Sequence, residues 1–295
     1  MNKIISLLFF ISILSVPNIV DARIDEFLTT RLKSTSGAGV GSILMDESSI
    51  LNPAPLAFFN ISSVFVQKGK SKISNQNSQS FPENEDICVV VSDSKGSTGG
   101  SASYQKHSFF NNKRTRAAVS LAYPVGPKSS MGITYRQTWD ELSEDGVNYT
   151  KKKYKQFILG VSHAISPSFT FGIVVIDPLR TKTEDTRAIA GAQYLFQNFI
   201  SVMGDIGADY GSNLSETFLY RAAIQFKLFQ DFFLRVGLHE DQNNLEEGNS
   251  IGIGWVQPRL VFDLGIQNNT TFSDLKTKEV TNNIKETSFS MSYKF

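Results

Sequence analysis

The sequence predicts an all-β protein, an antiparallel transmembrane β-barrel of about twelve strands, with fourteen as the alternative count. Three observations carry this reading. From Arg114 onward the chain runs as segments in which apolar and polar residues alternate, the period of two that marks a half-buried strand. Short and long connections between those segments alternate in turn. An apolar leader is followed by no run approaching about 18 apolar residues, so a span has to be built from strands closed into a barrel.

In chain order, Lys3 is the only charge before Asp21, and between them lie the apolar run Ile4 to Val16, Pro17 and an exit ending Val20-Asp21-Ala22. A basic start, an apolar core and a small exit residue describe a secretory signal peptide over residues 1–22, with Arg23 as the expected mature start. Composition agrees with an exported barrel. Phe, with 23 copies, dominates the aromatics, and Gly has 21. A mean hydropathy of −0.14 is too low for a helical membrane protein, whereas a barrel conceals its apolar half by alternation. The net charge of +1 gives no case for a nucleic-acid partner. Cys88 is the single cysteine, so neither an internal disulfide nor a cysteine metal cluster is expected.

Residues 23–59 do not alternate. Ile24 to Lys33 has helical spacing, with Ile24, Phe27, Leu28 and Leu32 on one face. Gly37 to Gly41 breaks it, and Ser42 to Leu51 is expected as a second short helix. That helix must stop at Asn52-Pro53, because proline disfavours helical geometry in the residue before it. A glycine-rich break, an acidic short helix and then Asn52-Pro53-Ala54 ahead of the first strand resembles the N-terminal hatch of the FadL-type long-chain fatty-acid transporters, an outer-membrane family. Pro55 departs from that family, which usually continues with Gly. The resemblance implies that 23–59 folds back into the lumen as a partly helical plug and that 60–295 forms the barrel. It also implies the outer membrane of a Gram-negative bacterium as the location, with membrane lipid and the barrel-assembly machinery as partners. The implied function is passive uptake of a small hydrophobic or amphipathic ligand.

For the barrel, strands are expected at Ser62 to Ile73 and then at about 114–125, 131–141, 152–165, 169–181, 187–197, 199–210, 216–229, 232–242, 249–257, 259–270 and 285–295. Short turns at Gly126 to Ser129, Ser166 to Ser168, Gln197-Asn198, Gln230-Asp231 and Gln257-Pro258 belong to one end, and the longer polar loops to the other. Residues 74–113 form either a long external loop or a loop plus two more strands at 86–93 and 101–110. Twelve is the chosen count, because the run after Gly99 alternates poorly. In the last segment Phe289, Met291, Tyr293 and Phe295 alternate with Ser288, Ser290, Ser292 and Lys294. This resembles the closing strand of outer-membrane barrels, where a terminal aromatic serves as an assembly signal; Phe295 is that residue here.

Alternation also assigns the faces. Phe218, Tyr220, Ala222, Ile224, Phe226 and Leu228 face lipid, so Arg221 and Lys227 face the lumen. The same rule puts Arg136, Asp205, Asp209, Arg235, His239 and Asp263 inside, since a lysine or arginine facing mid-membrane lipid costs roughly 2–4 kcal/mol. Inward apolar residues such as Ile158, Val174, Ile176, Leu195, Met203, Leu219 and Phe233 are available to form a pocket. Trp139, Trp255, Tyr123, Tyr135, Tyr194 and Tyr210 fall near strand ends, where girdles form.

Chemistry for an enzyme is not evident. His107, His163 and His239 lie in separate segments without metal-ligand spacing, and Ser162 and His163 point to opposite faces of one strand. No catalytic residue, metal or cofactor is therefore assigned. The function that competes with uptake is a structural or surface-interaction barrel, with 74–113 as its contact loop.

Overall fold

The computed structural model describes residues 26–75, 83–109, 112–143, 148–274 and 277–295. The expected signal peptide over 1–22 and the start of the expected hatch, 23–25, lie outside the described residues. Fourteen antiparallel strands close into one barrel: β1 (Ser62–Asn75), β2 (Asn84–Asp93), β3 (Gly99–Phe109), β4 (Asn112–Gly126), β5 (Ser129–Leu142), β6 (Thr150–Ser166), β7 (Phe169–Ile176), β8 (Arg187–Phe196), β9 (Ile200–Ala208), β10 (Leu219–Leu228), β11 (Phe232–Asp241), β12 (Glu246–Val256), β13 (Leu260–Phe272) and β14 (Val280–Lys294). Each pairs with its sequence neighbour, and β14 pairs with β1 from Ser63↔Lys294 to Asn75↔Asn282, which leaves no free edge.

The count corrects the twelve-strand expectation and, with it, the single long loop over 74–113. Both extra strands come from that segment, with a continuous register from Asp86↔His107 to Asp93↔Gly100. The pattern was blurred for a physical reason. On β3 the inward set is Gly99, Ser101, Ser103 and Gln105, and the outward set begins Gly100 and Ala102, nearly as small. On β2 the apolar Cys88 and Val90 point inward because they pack against the hatch.

Elsewhere alternation assigns the faces correctly. Val119, Leu121 and Tyr123 on β4, Ile251 and Ile253 on β12, and Phe289, Met291 and Tyr293 on β14 are all exposed on the outside. Such a contiguous apolar band would be untenable in water and is the lipid-facing surface of a transmembrane barrel. At the short-turn end the rings of Phe232, Trp255 and Phe262 stack at centroid distances of 6.4 and 5.6 Å, the start of an aromatic girdle.

At the seam, the Phe295 amide donates to Ser62 O at 3.0 Å and the Ser62 amide returns a bond to Phe295 O at 3.1 Å. The Phe295 ring points outward, stacked on Tyr293 at 6.2 Å. Replacing Phe295 by Asp puts a charge on the lipid face where the barrel closes. We expect membrane levels of the folded barrel to fall while export to the periplasm continues, as read by fractionation and immunoblot. Unchanged surface levels would sink the assembly role.

The hatch is less helical than its spacing suggests. Among the described residues of the hatch, only α1 (Thr30–Ser34) and a 3-10 turn, Ala54–Phe58, form. Ser42 to Leu51, expected as a helix, is a series of turns. The reason is tertiary: hatch backbone groups are satisfied by the barrel wall instead of by a helix of their own. The Gly39 and Val40 amides donate to Asp205 Oδ2 at 2.9 and 3.2 Å, and the Thr30 amide donates to Gln67 Oε1 at 2.6 Å.

Candidate functional site

The site is the contact between hatch and wall. The hatch descends from the long-loop end at Glu26 to the short-turn end at Phe59, and its apolar side chains meet the inward apolar residues of the barrel. Phe27, Leu32, Val40, Leu44, Ile50 and Leu51 form one buried cluster with Phe65, Ile158, Val174, Ile189 and Leu219. Met203 instead meets Ala38, and Leu56 packs with Met45 and Ala122. Each fully buried side chain of this kind contributes about 1.5–3 kcal/mol, enough in sum to hold the plug in place.

The hatch backbone also needs room, and the wall supplies it with inward glycines. Gly132, Gly160, Gly172, Gly191, Gly237, Gly252 and Gly265 each lie where an added Cβ would run into hatch atoms. At Gly237 that Cβ would fall 2.5 Å from Thr35 C and 2.8 Å from Ser36 N. At Gly132 it would fall 2.8 Å from Pro53 C. The Asn52-Pro53-Ala54 motif is seated on this track. Asn52 Nδ2 donates to Val40 O at 2.9 Å, and its Oδ1 accepts from the Ala54 amide at 3.1 Å, so the motif turns the chain and ties two hatch segments together.

Charges then fix the first part of the hatch, from Glu26 to Gly37. Glu26 bridges Arg116 and Arg136, at 2.7 and 2.9 Å. Burial pushes its carboxyl up, but the guanidiniums of Arg116, Arg136 and Arg114 outweigh that and hold it well below the usual carboxylate range. Lys33 lies 3.2 Å from Asp86 and 2.6 Å from Glu286. Arg221 donates to Gly37 O at 3.3 Å.

The other lumen residues pair with the wall. Arg235 meets Asp263 at 2.5 Å, and His239 lies 3.2 Å from Glu246. Asp209 accepts from the Gly211 amide and the Ser212 hydroxyl and so organises a loop. Lys227 is exposed at the short-turn rim. Ser162 and His163 do point to opposite faces; His163 Nδ1 instead meets Ser129 Oγ at 2.7 Å on the outer face.

Sequence reasoning passed over Glu26, Arg114, Arg116, Arg187, Asp140 and Asp241. Alternation held the signal for most of them: on β4 the outward Val119, Leu121 and Tyr123 put Arg114 and Arg116 inside. Nothing local distinguishes Glu26, whose partners lie on two strands far along the chain.

Between the start of the hatch and the wall, under the loops β7–β8 and β11–β12, lies a cavity of about 80 Å³. One side is apolar, formed by Phe27, Leu28, Leu32, Ile50, Leu51, Ile176 and Ile189. The other is charged, with Arg187, Arg221, Asp241, Asp185 and Glu26. Arg187 meets Asp241 at 2.5 Å and donates to Asn244 Oδ1 at 3.1 Å.

Solved structures share the fold of this barrel over most of its length. The toluene transporter TodX of Pseudomonas putida superposes with a TM-score of 0.71 at 10% identity, over 92% of this chain and 99% of that one. The barrel has the FadL-type fold. A FadL homologue of Pseudomonas aeruginosa matches over 90% of this chain and 98% of its own, with a TM-score of 0.60 and 11% identity. The Ralstonia pickettii toluene transporter TbuX gives 0.70 at 12% identity, over 92% and 99%. At these identities the likeness establishes the fold. No protein-family model and no curated protein matches this chain.

Within this FadL-type barrel one hatch group is set to titrate near neutrality. Burial pushes Glu47 up to about 7; Arg31 opposes the shift, and Asp46 and Asp263 add to it. Thr29 Oγ1 donates to its carboxylate at 3.2 Å. The folded pKa is raised, so the stability Glu47 contributes is full below about pH 4.5 and is lost as pH rises through about 7. The hatch should loosen between pH 5 and 8, seen as faster proteolysis of the hatch in the folded barrel, and Glu47→Gln should flatten that dependence. The same pH profile in wild type and variant would remove Glu47 as its cause.

Proposed function

We propose that this protein is an outer-membrane barrel of a Gram-negative bacterium for passive uptake of a small hydrophobic or amphipathic molecule. The observation that carries the reading is the two-sided cavity between hatch and wall at the long-loop end of the lumen. Its apolar side fits a hydrocarbon body, and the Arg187–Asp241 side fits one polar end. The fold supports it, because TodX and TbuX are described as toluene transporters. At about 80 Å³ the cavity is smaller than the roughly 150 Å³ apolar cavity that admits benzene in a soluble protein. A monoaromatic or a short amphiphile therefore enters only when the first hatch residues, Glu26 to Leu28, shift. That couples loading of the site to movement of the plug.

The test is whole-cell uptake of labelled benzyl alcohol and toluene, with and without the barrel, and with Ile189→Phe, which fills the cavity from the wall. Wild type is expected to accelerate uptake and Ile189→Phe to abolish most of the acceleration at unchanged surface levels. If cells with and without the barrel take up both compounds equally, the structural or surface-interaction reading is the better one.

A further inference from the structure

The outer face of the barrel carries a charge asymmetry that uptake does not use. Strand alternation places Lys106 on β3, Lys113 on β4 and Lys151, Lys153 and Lys155 on β6 on the lipid side, all exposed, at the long-loop end. They sit directly above the apolar band, since the next outward residue below Lys155 is Phe157 and then Leu159. The register joins them. Lys153↔Trp139, Trp139↔Thr115 and Thr115↔Lys106 form one unbroken row across β6, β5, β4 and β3, and Lys151↔Glu141 and Glu141↔Lys113 form the next row out. Five lysines against Glu141 leave four positive charges on the outward positions of these strands.

Lys151 pairs with Glu141 at 3.4 Å, while on β1 every outward lysine is paired, Lys68 with Glu85, and Lys70 and Lys72 with Glu83; the outward lysine of β14, Lys285, lies opposite Lys72. Among the described residues, the outward strand positions from β7 to β13 hold no lysine or arginine and instead include Glu240 and Glu247. Lysines that merely snorkel to the interface would ring the barrel, whereas the outward strand lysines are confined to the side that runs from β14 through β1 to β6, and those of β3–β6 carry the excess positive charge.

We propose that the β3–β6 face is a binding surface for a phosphorylated glycolipid of the outer leaflet, of the lipid A class. This inference rests on the outer-membrane placement given above. The chemistry fits at each level. Acyl chains lie on the band of Tyr135, Phe157 and Leu159, the sugar lies at the aromatic level of Trp139, and phosphates meet the lysine rows. Adjacent strands are about 4.8 Å apart, so Lys153 and Lys106 lie about 14 Å apart, matching a headgroup with more than one phosphate rather than a single-phosphate lipid. Lys153 is already held over the Trp139 ring, 5.9 Å from its centroid, which orients its ammonium along the outer face.

Trp139 supplies a local reporter, because the other tryptophan, Trp255, belongs to the opposite rim. The full-length protein with Trp255→Phe, in non-ionic detergent, is titrated with lipid A while Trp139 emission is followed. Saturable binding is expected. In Lys106→Gln/Lys151→Gln/Lys155→Gln, which leaves Lys153 on the reporter, it should weaken by one to two orders of magnitude. Unheated gel mobility confirms that the variant is folded.

Equal affinity of wild type and variant overturns the inference. So does equal binding of dephosphorylated lipid A, or of phosphatidylglycerol. The readout is lipid, not solute, so the two proposals fail separately. A barrel that binds lipid A and accelerates no uptake loses only the transport reading, and one that accelerates uptake with the lysines replaced and no lipid preference loses only this one.

Discussion

Deleting residues 23–51 should leave a barrel that still folds and conducts small solutes far better than the intact protein. The fold itself does not need the hatch, because every strand is paired with two neighbours and the seam is closed by β1 and β14. Removing the plug exposes inward Ile158, Val174, Ile189 and Leu219 to water, a loss of about 1.5–3 kcal/mol for each that becomes fully exposed. It also strips partners from Arg116, Arg136, Asp86 and Glu286. In a water-filled lumen those charges are hydrated, so the penalty of an unpaired buried charge does not arise. Conductance in planar bilayers measures the effect, with faster migration of unheated than boiled protein as the check on folding. Unchanged conductance would mean that the hatch is not the barrier.

Gly237→Val should produce a similar opening without removing any part of the chain. A Cβ there would meet backbone atoms of Thr35 and Ser36, which have no flexible end to swing away. Valine suits the strand itself, so the strain falls on the hatch and not on β11. The expected result is raised conductance and faster proteolysis of the hatch at normal membrane levels, whereas Val236→Ile on the lipid face changes neither. Wild-type conductance in Gly237→Val would show that the glycine track is incidental to seating.

How much of this was legible in the sequence depends on the range of the interaction. Alternation is local, and it gave the barrel, the faces and the lumen positions of Arg136, Asp205, Arg221, Arg235 and Asp263. The same rule, applied to β4, would have added Arg114 and Arg116. It faltered on β2 and β3, where the inward and outward sets differ little in size and Cys88 and Val90 point inward to meet the hatch. There the strand count was decided by pairing with β1 and β4, which no local pattern contains.

The hatch shows the same boundary. Asn52-Pro53-Ala54 announced a turn, because proline and asparagine act on their own backbone. Helical spacing over 24–33 yields only the short Thr30–Ser34 helix among the described residues, and the helix expected over 42–51 does not form, because wall side chains such as Asp205 and Gln67 take hatch backbone groups as partners. Gly132, Gly160, Gly172, Gly191 and Gly237 read as scattered glycines until strand pairing lines them up beneath the hatch. Glu26 acquires its meaning only when β4 and β5 bring Arg116 and Arg136 to it. The sequence by itself determined that the chain closes into a barrel and which residues face lipid, because both follow from a period of two along each strand. Only the tertiary structure decided what fills the lumen, where the cavity lies and which charges hold the plug, because those contacts join residues with no local relation along the chain.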